Sequence, residues 1–381
     1  MTAPAAPWWA WLSALRDPAV VDRWTLDDWQ RVIRLSRRTR LLGRLGEALV
    51  ADGRLAAVPE PAARHLRAEL RFARWQTQAL CWAAERAGTC LADAPYPKVL
   101  LKGAAYIAQG LAIGRGRLPS DLDLLVPKTA LADAQRRLAA QGWREMALDE
   151  HDRRYYREWT HEVPPMRHPA HSLELDLHHN ILPPVARLRV DAVKLLARVQ
   201  PSPWAGWQVL DPLDQILHSA AHLFQDSDLS DRVRDLVDLD ALLREGLKAS
   251  GFWPALTERA RELGLGAPLA LACHFTQAWL DTPVPPAVHA ALRPSGPGPV
   301  QRLWLLPALS LALTPVEPDG RATLQQRLAA RLVLLRYHLT RMPLTLLLPH
   351  AWHKLRQRPG AAAGDPFGVA GARPMRRDDA A

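Results

Sequence analysis

Ser120-Asp-Leu-Asp-Leu-Leu-Val126 is an apolar run interrupted by two acids, Asp121 and Asp123. In a strand, residues i and i+2 point the same way. Leu122 and Leu124 therefore face one layer, while Asp121 and Asp123 project together from the other. Carboxylates held that close repel each other unless a cation lies between them. Alone, D-x-D also fits the wet side of an exposed edge strand, so the rest of the chain has to decide.

SLELDLHH (172–179) decides it. Leu173, Leu175 and Leu177 take one face of a second strand, and Glu174, Asp176 and His178 take the other. Acids on that polar side complete a cluster with Asp121 and Asp123. Three carboxylates from neighbouring strands, all hard oxygen ligands, suit Mg²⁺ or Mn²⁺. Upstream, LLKG (100–103) runs from a strand into a helix, whose free N–H groups favour phosphate. These are the parts of a metal-assisted phosphoryl or nucleotidyl transfer site.

LKGAAY, GRGRLPSDLDLLV and ELDLHH together resemble the DNA polymerase β-like nucleotidyltransferase superfamily. More narrowly, they resemble an uncharacterised bacterial nucleotidyltransferase family patterned LKG, then R-x-x-S-D-[IL]-D-[IL]-L, then [DE]-L-H. The resemblance covers roughly residues 20–265. It implies an α+β (α/β) fold, a small mixed-sheet nucleotidyltransferase core flanked by N- and C-terminal helical domains. Asp121 and Asp123 match the metal-binding pair, and Asp176 matches the third catalytic carboxylate. Gly103 matches the helix-opening glycine, and Arg117 and Ser120 match the polar lead-in to D-x-D. The superfamily's usual Gly-Gly or Gly-Ser stands here as Gly103-Ala104, preceded by Lys102. Without the serine hydroxyl, the phosphate contact is expected from Lys102 or Arg117.

The implied activity moves an NMP from an NTP to an acceptor, a small molecule, saccharide or protein, with release of pyrophosphate. The alternative is a catalytically inactive nucleotidyltransferase-fold interaction module, which has no need to hold repelling acids together. Charge alone supports a nucleic-acid binder, but interleaved aromatic and basic motifs are missing.

Six further residues carry weaker signals. Glu174 shares the face of Asp176 but sits at the strand's entry, where a surface acid is expected. His178 either orients Asp176 or a phosphate, or caps the strand end. His218 and His222 lie four apart on one helix face; H-x-x-x-H without an intervening Glu is a weak zinc signal. Arg234 and Asp238 repeat that spacing and are expected to form a salt bridge on a helix packed near the core; the resemblance places such a helix beside the site, so the other reading is a substrate or base contact.

The 381 residues are 48% hydrophobic and carry a net charge of +10, which favours phosphorylated partners. Cys81, Cys90 and Cys273 are unclustered, which argues against a disulfide framework or structural zinc and suits a reducing cytoplasm. The N-terminus lacks a basic n-region, so no signal peptide is expected. WLLPALSLALTP and MPLTLLLPHAW are too short for a membrane span and contain proline.

The chain divides into a helical region (1–94), the α/β core (95–185), a helical domain on the core (186–265), a basic helical region (266–359) and a disordered tail (360–381). Residues 321–358 hold eight Lys or Arg and no acid. Leu328, Leu332, Leu335 and Leu339 form a stripe there, expected to pack in the core beside a solvated basic face. The other reading is weak contact with an anionic membrane surface or a polyphosphate partner.

Overall fold

The computed structural model describes residues 7–146, Tyr156 and 159–341. Four helices come first: α1 (Pro7–Ala14), α2 (Leu26–Arg38), α3 (Leu42–Ala51) and α4 (Glu60–Cys90). One apolar stripe is shared between α2 and α3. Thr25 and Asp28 close a capping box at the start of α2, and Arg40 turns through φ +56° before α3 begins. Both halves still bury the stripe, with Trp29, Ile33, Leu41, Leu42 and Leu45 inside.

The α/β layer follows: β1 (Val99–Leu100), α5 (Lys102–Ala108), β2 (Asp121–Leu125), α6 (Leu131–Ala140), β3 (Arg144–Glu145), β4 (Met166–Arg167) and β5 (Glu174–His178). After the short helix α7 (Ala192–Leu196), β6 (Gln200–Pro201) and β7 (Gln208–Val209) join the opposite edge. The strands line up as β3-β4-β5-β2-β1-β7-β6. β2–β5 and β1–β7 are parallel and the remaining pairs antiparallel, so the sheet is mixed.

In RRYYREWTHEV (153–163) the described residues form no named strand. Tyr156 and Trp159 have helical backbone, and the Thr160 hydroxyl donates to the Tyr156 carbonyl at 2.7 Å, the i to i−4 bond of a helical turn. Glu162 alone of these described residues pairs as a bridge, to His178.

Leu122, Leu124, Leu175 and Leu177 are fully buried, each contributing about 1.5–3 kcal/mol. They fix which face of β2 and β5 turns inward, and so which face carries the acids. α4 packs on β2 and on α6. The loop before β2 is braced by α3. Gly116 (φ +66°) meets Gly43 so closely that a Cβ on either would overlap the other's backbone. Arg44 adds a hydrogen bond to the Ala112 carbonyl at 2.6 Å.

Beyond the sheet, α8 (Pro212–Phe224), α9 (Val233–Gly246) and α11 (Gly266–Leu280) pack on one another, with α10 (Phe252–Glu262) and α12 (Pro286–Leu292) beside them. A buried fork from Arg259 to Asp214, both bonds 2.7 Å, ties α10 to α8. α13 (Pro299–Leu313) and α14 (Leu324–Arg341) form a hairpin.

The core placement expected for the α14 leucines is not what the structure shows. Leu328, Leu332 and Leu335 are 49%, 45% and 55% exposed, and Leu339 is half-buried. The buried row is Ala329, Val333 and Tyr337. The small side chains at 329 and 333 let α14 lie close against its neighbour, which turns the bulkier leucines outward. Residues 342–381, with the expected tail, lie outside the described residues. Cys81, Cys90 and Cys273 are free thiols. Among the described residues no helix is long and apolar enough to cross a membrane.

Candidate active site

β2 and β5 run side by side in parallel, with Asp121 opposite Glu174 and Asp123 opposite Asp176. Period-2 alternation puts the carboxylates of Asp121, Asp123 and Asp176 on one face. One oxygen from each lies within 4.8 Å of the others. Asp123 is buried and the other two are half-buried.

Two cations or donors meet at Asp123. Lys102 Nζ donates to Oδ1 at 2.8 Å, and His178 Nε2 donates to the same oxygen at 2.9 Å. Burial works against ionising Asp123, but Lys102 and His178 outweigh it and hold its carboxyl well below the usual range. Asp121 has no such anchor: burial, then the charge of Asp123, raises it. Asp176 is pushed up to about 9 by burial and then by Asp123 and Asp121. Its Oδ1 is buried with no hydrogen-bond partner among the described residues. The cluster thus splits into one anchored carboxylate and two that lack compensating charge.

Residues 25–281 match the family model described as an uncharacterised nucleotidyltransferase. The chain belongs to that family. Searches of curated proteins and of solved structures gave no match.

The nucleotidyltransferase signature residues fall into three groups. Lys102 and Gly103 sit at the turn from β1 into α5, beside the acids. The backbone strain falls on Lys102, at φ +44°, and not on Gly103. At Gly103 space is tight: a Cβ there would come 3.1 Å from Arg117 Nε, so the paired guanidinium would have to shift by a few tenths of an ångström. Ser120 is exposed next to Asp121.

Arg117, expected at a phosphate, is engaged with other partners in this structure. Its guanidinium is buried, pairs with Asp238 and lies 5.5 Å from the Tyr106 ring centroid. That contact also corrects the expected Arg234–Asp238 bridge. Asp238 faces inward to Arg117, so Arg234 turns to its neighbour Asp235 at 3.3 Å. Helical spacing permits an i,i+4 pair, but burial gives Asp238 to the partner that is buried too.

Glu174 pairs with the exposed Arg167 across β4–β5. His178 orients Asp123, one strand over, and not Asp176. His218 and His222 touch ring to ring, with centroids 6.3 Å apart, and join no third metal ligand among the described residues. Burial, then nearby Lys102, holds His218 down to about 3 and His222 well below its ordinary value.

Three residues of the site had no sequence signal. Arg40, 193 residues and more from the helix it faces, has no side-chain hydrogen bond or ion pair among the described residues. Burial, then Arg234, lowers its affinity for its proton, and Asp121 lies near enough to act the other way. His161 and Glu162 reach the cluster through His178, with Glu162 Oε2 3.4 Å from His178 Nδ1. Nothing in local spacing announces contacts made between distant segments.

Proposed function

We propose that the chain is a Mg²⁺- or Mn²⁺-dependent nucleotidyltransferase. It moves an NMP from an NTP to an acceptor group on a small molecule, saccharide or protein and releases pyrophosphate. The observation that carries this is the convergence of Asp121, Asp123 and Asp176 carboxylates within 4.8 Å, in a chain of this family. The donor set fits a hard divalent ion: it is all oxygen, with one buried oxygen lacking a partner and two carboxyls short of positive charge.

Asp121, Asp123 and Asp176 would hold the ion, which when bound supplies charge compensation for phosphate oxygens. His178 fixes the orientation of Asp123. Asp176, with its raised proton affinity, would take the acceptor's proton. Arg40, which has no ion pair among the described residues, and Arg234, which shares Asp235 with Arg232, would meet the phosphates in place of Arg117, because both carry charge near Asp121. Lys102, with donors to spare beyond the one at Asp123, would contact phosphate from where it stands.

Purified protein incubated with each α-labelled NTP, Mg²⁺ or Mn²⁺ and host lysate should transfer label to an acceptor. Transfer should need the metal and vanish in Asp123→Asn. No transfer from any NTP would favour an inactive interaction module instead. Free thiols suit a reducing compartment, and a cytoplasmic setting is part of this proposal.

A second reading concerns α14. Leu324, Leu328, Leu332 and Leu335 are exposed beside the exposed Arg327 and Arg331. An outward leucine row flanked by arginines is the pattern of weak docking on an anionic membrane surface.

A further inference from the structure

Behind Asp123, on the far side of His178, a second set of donors converges. His178 is 1% exposed. Both of its ring nitrogens face carboxylates: Nε2 lies 2.9 Å from Asp123 Oδ1, and Nδ1 lies 3.4 Å from Glu162 Oε2. A neutral imidazole carries one N–H. If that hydrogen goes to Asp123, Nδ1 aims a lone pair at another carboxylate.

Nδ1 makes no hydrogen bond among the described residues. Nδ1 of His161 is likewise buried without a partner, and the two rings are 5.3 Å apart between centroids. Backbone pairing sets this up. Glu162 bridges His178, and the His179 N–H donates to the His161 carbonyl at 2.8 Å. One ligand atom each from His161, Glu162 and His178 lies within 4.8 Å of the others. Two buried nitrogens without a hydrogen-bond partner among the described residues and a carboxylate meet there.

We propose that His161, Glu162 and His178 form a second, nitrogen-rich cation site that takes a borderline transition metal such as Zn²⁺ or Co²⁺, distinct from the all-oxygen cluster of Asp121, Asp123 and Asp176. Two imidazoles and one carboxylate with an open position suit such ions and not Mg²⁺. A metal-bound histidine characteristically gives its other N–H to a carboxylate. Asp123 already stands in that place behind His178. Lys102 and Arg341 add positive charge in the neighbourhood of His161, and the carboxylates of Glu162 and Asp123 offset it. A metal here would lock the His178 ring, and with it the oxygen of Asp123, so occupancy of one site would be felt at the other.

The test is titration of metal-free protein with Co²⁺, following visible d–d absorption from nitrogen ligation and the stoichiometry of binding. The wild type should take one equivalent with nitrogen-type bands. The Asp121→Asn/Asp176→Asn variant, which weakens the oxygen cluster, should keep those bands. His161→Ala and the isosteric Glu162→Gln should each weaken binding by at least about ten-fold, the loss even an outer partner of a metal site causes. Circular dichroism shows which variants are folded, and Glu162→Gln carries the test if His161→Ala is not. A wild type that binds no Co²⁺ overturns the site. So do bands that survive Glu162→Gln, or that disappear in the Asp121→Asn/Asp176→Asn variant.

Discussion

Lys102 Nζ lies 2.8 Å from Asp123 Oδ1, and it reaches that oxygen from a backbone at φ +44°. An L-residue in that region costs about 1–2 kcal/mol, a cost borne where the surroundings over-determine the conformation. Lys102→Ala and Lys102→Gly both delete the ammonium, but only glycine accepts the turn freely. The glycine variant should be more stable by about 1 kcal/mol in urea unfolding. Equal stabilities would mean that Lys102 is not strained.

Asp121 and Asp123 should answer the same substitution in opposite ways. Asp121→Asn removes a carboxylate that burial and Asp123 disfavour, so the metal-free melting temperature should rise. Asp123→Asn strips the partner of Lys102 and His178, and should cost about 3 kcal/mol or more. Both should abolish metal-dependent transfer. Activity surviving in either variant would sink the metal assignment.

Asp176 sets a pH dependence. The folded, metal-free chain keeps the Asp176 proton up to about 9, whereas an unfolded aspartate loses it near 4. Between those values the native state binds the extra proton, so rising pH favours unfolding. This contribution is complete below about pH 4 and is lost as pH climbs towards 9. Asp123, held low, acts with the opposite sign and only at the acid end. In chelator, melting temperature should fall from mildly acidic to mildly alkaline buffer, and Asp176→Asn should flatten that slope. An unchanged slope in Asp176→Asn would assign the effect elsewhere.

Asp176→Ala should also cost far more activity than Glu174→Ala, since Glu174 is engaged with Arg167 outside the cluster. Transfer rates with a labelled NTP decide it, and a dead Glu174→Ala would move the third carboxylate to the strand's entry.

Arg117→Met should destabilise the chain by about 3–5 kcal/mol, because it leaves Asp238 buried and unpaired. Adding Asp238→Leu should recover much of that loss, as replacing a whole buried pair by apolar groups often does. A double variant no better than the single would show that the pair is not an isolated unit.

Leu328→Gln, Leu332→Gln and Leu335→Gln together should leave the melting temperature nearly unchanged, since the three are exposed. They should abolish co-sedimentation with anionic vesicles, binding that in the wild type weakens steeply with salt. A large fall in melting temperature would return the stripe to the interior.

The acid-bearing faces of β2 and β5 were legible because strand alternation is a local rule, and the leucines between the acids state it openly. The mixed sheet with helical flanks followed from the family resemblance that those motifs carry. What local rules miss is choice among partners. Asp238 had Arg234 within helical reach, yet pairs with Arg117, 121 residues away. α14 offered two apolar rows one residue apart, and close packing selected Ala329 and Val333 over the larger leucines. The split at Arg40 left no mark either, since both halves keep the hydrophobic stripe.

Gly43 and Gly116 touch backbone to backbone, and this changes what counts as the smallest transplantable unit. A gene fragment spanning only the sheet would carry all three acids, yet arrive with the loop ahead of Asp121 missing the helix it leans on. The family match begins at residue 25, in front of α2 and α3, and not at the first strand. Those helices are therefore to be inherited, cloned or swapped together with the acids they brace.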